Sequence, residues 1–208
     1  MTTTAKPLSA TQTLPAGYRQ VISFDLRKKF WLAVVLNVAA IILLGLFGWL
    51  VSRFSQWVRP DFWEQDVQSV IQWMEMISFG VAIVLMLVFH EGLHGLFFWV
   101  FTKARPKFGF SLLYAYAAAP DWYIPRNAYL VVGLAPLVVI TLVGLVMILW
   151  MPHVWLPATL FLVALNAAGA VGDMYVTLML LAQKPDVLVN DVGAGFTIYA
   201  PVEEVQGS

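Results

Sequence analysis

The chain opens on a mostly polar stretch and then alternates long apolar runs with short polar connections. Four runs reach the roughly 20 residues that a membrane-crossing helix needs. They lie at about Phe30–Val51, Met76–Phe101, Ala128–Trp150 and Trp155–Leu181. Between the first two, Phe54–Trp73 carries Trp57, Trp63 and Trp73. Phe62, Val67, Val70, Ile71 and then Met74 follow near-helical spacing, which predicts a short amphipathic helix on a membrane face, with a plain linker as the alternative. Between the second and third runs, Phe108, Phe110, Leu112, Tyr114 and Tyr116 alternate with Gly109, Ser111, Leu113 and Ala115, the period of a strand. Pro120-Asp121 reads as a turn, and Trp122–Ile124 as a strand returning to form a hairpin; an aromatic interfacial loop is the alternative. The acidic tail after Gln183 predicts a second small hairpin around Gly193–Gly195.

Composition supports lipid as the solvent. Hydrophobic residues make up 61% of the chain and charged residues 12%, with mean hydropathy +0.79; soluble domains carry about 25% charged residues. Net charge is zero, so no basic field argues for a nucleic-acid partner. The absence of cysteine excludes disulfides, a cysteine-ligated metal and a cysteine nucleophile. The first 29 residues lack the layout of a signal peptide, so the first run is expected to remain as a transmembrane helix. With both termini inside, ten basic residues fall on the cytoplasmic side and two (Arg53 and Arg59) on the other, in line with the positive-inside rule. The expected architecture is an all-α polytopic membrane protein of about four transmembrane helices with a small cytoplasmic-side β-hairpin. Residues 1–29 form a cytoplasmic N-terminal segment, 30–182 the membrane-embedded domain, and 183–208 a cytoplasmic C-terminal tail.

Against that apolar background the polar residues stand out. Of three histidines, His90 and His94 lie four apart in the second run, on one helical face. Two imidazoles so placed can bind one zinc ion through neutral nitrogens, and Glu91 between them completes HExxH. In that motif the glutamate takes a proton from the water that zinc activates. A charged side chain in mid-membrane costs at least about 2.5–3.5 kcal/mol, so its presence there points to function. The competing reading is a structural polar cluster packed between helices. A third protein ligand is required, and Asp173 is the acidic residue inside another run; His153 lies far off in depth and reads as a solvated loop histidine. Counted from the outer ends of their runs, His90 is 14 residues deep and both His94 and Asp173 are 18 deep, or about 21 and 27 Å at 1.5 Å per residue. Asn166 shares a face with Asp173 and could bond a substrate carbonyl or orient a ligand. Asn37 reads as a packing residue. Gly169 and Gly172 are expected to let helices approach closely, and Pro136 to kink the third run.

These residues carry a resemblance. His90-Glu91-Gly92-Leu93-His94-Gly95, Lys107-Phe108-Gly109-Phe110, Leu134-Ala135-Pro136-Leu137, Asn166 with Gly172-Asp173, and the lead-in Pro15-Ala16-Gly17-Tyr18 resemble an uncharacterised bacterial membrane family of HExxH zincin metallopeptidases. More distantly the chain is similar to the site-2 protease group of intramembrane metalloproteases. The resemblance implies a bacterial cytoplasmic membrane, a Zn2+ cofactor held by His90, His94 and Asp173, and Glu91 as general base. It also implies a strand edge, with Phe110, Leu112 and Tyr114, offered to a peptide or membrane-protein substrate. Asn166 is then a catalytic candidate that helps hold the substrate. The function expected is hydrolysis of peptide bonds in or near the membrane. The rival expectations are a catalytically inactive zinc-binding scaffold and, behind it, a small transporter, which the clustering of polar residues at one depth disfavours.

Overall fold

A computed structural model describes residues 9–25, 28–64, 74–111, 114–193 and 195–202. The chain is mostly helical, with two small antiparallel sheets. The elements in order are β1 (Tyr18–Asp25), α1 (Phe30–Val58), α2 (Pro60–Trp63), α3 (Met74–Thr102), β2 (Lys107–Ser111), β3 (Tyr114–Ala118), β4 (Ile124–Pro125), α4 (Arg126–Ile148), α5 (Leu156–Gly169), α6 (Val171–Leu181), β5 (Leu188–Asp191) and β6 (Gly195–Pro201).

The first three apolar runs become α1, α3 and α4, each long and apolar enough to cross a membrane. In the most apolar stretch of α1 no residue is buried by the rest of the chain, and Val35, Ile41, Ile42 and Trp49 are exposed. The fourth run is not one straight helix. It breaks at Ala170 into α5 and α6, which meet at 41°. Gly169 and Gly172 flank the break, and glycine is the weakest helix former after proline. Neither provides a tight helix contact: a Cβ on Gly172 would meet open space, and one on Gly169 would touch Met86 at an ordinary 3.7 Å. The close approach lies instead at Gly144, where a Cβ would overlap the Val163 side chain and force α4 and α5 apart.

All strands gather where α1 begins, α3 ends, α4 begins and α6 ends. The four-stranded sheet runs β1-β6-β5-β4, so the N-terminal segment pairs along its length with the C-terminal tail, from Tyr18↔Pro201 to Asp25↔Gly195. The β5–β6 hairpin turns at Gly193, whose φ of +87° suits glycine. Its buried face, including Val189 and Ile198, packs with Phe98, Tyr129 and Leu180 from the helices. Arg126 ties the helices to one another there, donating from Nε to the Leu180 carbonyl at 2.7 Å and so capping the end of α6.

The aromatic loop differs from its expected form. The alternating run 108–116 is not one strand; it doubles back on itself, pairing Lys107↔Ala118 through Ser111↔Tyr114. Ile124 does not return to that strand but pairs with Val189 of β5. Tight turns need few residues, so a single alternating run can hold both arms of a hairpin. Of the amphipathic helix expected over Phe54–Trp73, the start belongs to α1 and Pro60–Trp63 forms one short turn of helix; Val67, Val70 and Ile71 lie outside the described residues.

Candidate metal and peptidase site

α3 carries His90, Glu91 and His94 over one turn, and His90 and His94 are both buried. Their rings meet edge-on with centroids 5.0 Å apart. Asp173 comes to them because the break at Ala170 starts a new helix, placing Asp173 in the first turn of α6. Its Oδ2 lies 3.2 Å from His90 Nε2 and 3.4 Å from His94 Nε2. Among the described residues, these three form the group of histidine and carboxylate side chains able to hold a metal ion, with ligand atoms within 4.8 Å of one another.

The remaining ring nitrogens decide which atoms are free to ligate. His94 Nδ1 donates to the Val132 carbonyl of α4 at 2.9 Å. A carbonyl can only accept, so the proton of a neutral His94 sits on Nδ1. His90 Nδ1 lies 3.1 Å from Asn166 Oδ1, and Asn166 Nδ2 donates to the Pro136 carbonyl at 3.2 Å. With its amide group committed to that carbonyl, Asn166 presents oxygen to His90, which therefore also carries its proton on Nδ1. Both Nε2 lone pairs then point at the same carboxylate oxygen. Three electron-pair donors converging in a buried site are stabilised by a positive charge between them. Zinc bonds of about 2.0–2.1 Å in a tetrahedral set separate neighbouring ligand atoms by roughly 3.3 Å, close to the distances seen. Two imidazoles and a carboxylate are a donor set that zinc takes, leaving a fourth position open.

Asn166 therefore sits elsewhere than a substrate-holding role requires. It is fully buried behind His90, both ends of its amide are engaged, and it is absent from the cavity lining. Phe110 likewise is not in the cavity wall but is 80% exposed. Leu112 lies outside the described residues, and Tyr114 is described only as the start of β3. The part of the hairpin that does reach the site is Ala115, Tyr116 and Ala117. The Ala117 backbone amide donates to the Glu91 carboxylate. Asn37, read as a packing residue, lines the cavity while its amide donates to the Ala33 carbonyl of its own helix at 2.7 Å.

The cavity beside these groups measures about 800 Å³. It is walled by β1, α1, α3, β3, α4, α5, α6 and the β5–β6 hairpin, and Glu91, both histidines and Asp173 line it. Asp191, which the sequence presents as one more acid in an acidic tail, lines the same cavity. Asp191 is buried, accepts from the Tyr129 hydroxyl and from the Gly193 amide, and burial pushes its carboxyl up to about 6. Its signal in the sequence is faint: an aspartate closing the apolar Val187–Val189 run, where β5 turns inward.

The profile of a family described as "Putative zincin peptidase" matches residues 83–188, about half of the chain. That span runs from mid-α3 to the first residue of β5 and contains His90, His94 and Asp173. No curated protein and no solved structure matches the chain.

Proposed function

The chain belongs to the putative zincin peptidase family, and from that premise we propose that it is a membrane-embedded zinc metalloendopeptidase cleaving peptide bonds in or near the bilayer. One observation carries this reading: both histidines are fixed as Nδ1–H tautomers, so two Nε2 lone pairs and the Asp173 carboxylate converge on one point beside Glu91. His90, His94 and Asp173 hold the metal. A bound zinc supplies Lewis acidity, making water nucleophilic near neutral pH and polarising a carbonyl.

The protein's own groups do the rest. Glu91, one residue along α3 from His90, accepts a proton from the attacking water and returns it to the departing amine. The Ala117 amide orients that carboxylate and couples it to β3. Among the described residues β3 has one strand neighbour, β2, and its Ala115–Ala117 backbone faces the cavity. A peptide added along the second edge of β3 is held extended, its carbonyls open to attack, which a helical substrate would not allow. The mostly apolar helices exclude bulk water from the reacting groups.

The membrane reading rests on the exposed apolar surfaces of α1, α3 and α4, which no soluble chain of this size would leave to water. The gathering of β1, β2, β3 and the β4–β6 strands at one end supports a common side for both termini and the 103–125 connection, and the basic residues assign that side to the cytoplasm.

The test is made on detergent-purified full-length protein. Mass spectrometry should find about one zinc per chain in wild type and in Glu91→Gln. Membranes of cells expressing wild type should show new protein N-termini, absent with Glu91→Gln, a general-base loss of about 10²–10⁴-fold in rate. Metal without Glu91-dependent cleavage would favour a zinc-binding scaffold. A folded wild type that takes up no zinc, even when zinc is supplied, would overturn the peptidase reading.

A further inference from the structure

The polar contacts behind both histidines converge on one residue of α4 that has no polar side chain. In an α-helix the carbonyl of residue 132 accepts from the amide of residue 136. Residue 136 is Pro136, which has no N–H, and a proline ring crowds the carbonyl four residues back. α4 nevertheless runs unbroken from Arg126 to Ile148. The Val132 carbonyl, deprived of its donor within the helix, accepts His94 Nδ1–H at 2.9 Å. The Pro136 carbonyl accepts Asn166 Nδ2 at 3.2 Å, and Asn166 Oδ1 accepts His90 Nδ1–H at 3.1 Å.

We infer that Pro136 is the positioning residue of the metal centre: by withholding one backbone amide it turns the Val132 carbonyl into the acceptor that sets the His94 tautomer, and through Asn166 its own carbonyl sets that of His90. A buried, apolar helix face has few ways to offer a strong acceptor to an imidazole. A polar side chain would need partners of its own, whereas a backbone carbonyl freed by proline needs one donor, and His94 is that donor. The expected kink is thus not the main consequence of Pro136; the missing hydrogen bond is. The importance for metal binding rests on the zinc reading above, while the tautomer assignment does not.

Full-length protein in detergent separates the two. Position 136 is changed in two ways: Pro136→Ala, which restores the amide donor in a good helix former, and lactic acid at 136, which has alanine's shape but an ester oxygen in place of the N–H. In metal-free protein labelled with ¹⁵N-histidine, at a pH where the imidazoles are neutral, NMR should find His94 as the Nδ1–H tautomer in wild type and in the ester variant. In Pro136→Ala the competing amide should move part of the population to Nε2–H. Zinc affinity, measured against a chelator, should fall about 10–100-fold in Pro136→Ala, the usual cost of losing an orienting contact, and return in the ester variant. An Nε2–H tautomer in wild type would overturn the inference. So would equal zinc affinities in wild type and Pro136→Ala, or equal losses in the two variants, which would assign the effect to the ring rather than to the absent donor. A wild type that shows the Nδ1–H tautomer but binds no zinc would sink the metal reading and leave only the tautomer assignment standing.

Discussion

Histidine meets aspartate at both ends of the helical bundle. At the end away from the sheets His153 Nε2 lies 2.7 Å from Asp61, with side chains 36% and 53% exposed. At the other end His90 and His94 lie 3.2 and 3.4 Å from Asp173, the two imidazoles 8% and 10% exposed and the carboxylate 25%. The shorter contact belongs to the less specialised pair. Asp61 is held below the usual carboxylate range, first by the hydrogen bond from Arg59 and then by that from His153, and Arg59 also caps the Met151 carbonyl at 2.9 Å. That group is a solvent-facing clasp joining α2 to the end of α4, and water competes for every contact in it. At the buried end each imidazole has its second nitrogen committed, to Val132 or to Asn166, so its free lone pair has one direction. Proximity of histidine to aspartate is not enough to make a group able to hold a metal; burial together with an enforced tautomer sets the buried group apart.

The largest effect is expected from removing the aspartate at the buried end. Asp173→Ala should take zinc from about one per chain to none by mass spectrometry, because a two-histidine remnant falls short of the three protein ligands that zinc needs. Retention of full zinc would show that the third ligand lies elsewhere.

A smaller effect is expected at Asp191, which lines the same cavity. Its folded-state value, raised to about 6 by burial, exceeds the ordinary aspartate value of 3.8. The folded protein therefore holds the proton more tightly than the unfolded chain. The corresponding stability is fully present below about pH 4 and is lost as pH rises through 6, an effect of at most about 3 kcal/mol. Thermal unfolding of metal-free protein between pH 4 and 7 should show this decline in wild type and not in Asp191→Asn. Parallel curves for the two would place the titration on another group.

The smallest effect belongs to His153→Ala. Zinc content should be unchanged, and thermal stability should move least of the three, since exposed ion pairs contribute little. A loss of zinc in this variant would mean that the two ends of the bundle are coupled through α4 or α5.

Much of the site was legible in the linear chain because α-helical periodicity is local. The spacing of His90 and His94 places both on one face wherever α3 lies, and Glu91, a charge in an apolar run, marks the same turn. The matching depths of His94 and Asp173 in neighbouring runs needed only the rise per residue. The break at Ala170 was less legible, since Gly169 and Gly172 signal weak helix and equally signal close packing; only the surroundings of each distinguish the two.

The apolar helical frame and the HExxH turn could be read from the linear chain, because both follow from interactions among residues a few positions apart. The pairing of β1 with β6 across almost the whole chain, the arrival of Asp191 at the cavity and the place of Asn166 behind His90 came only with the folded arrangement. Each depends on contacts between residues far apart in sequence, and hydrogen-bond partners at that range are chosen by which groups burial leaves unsatisfied, not by any periodicity.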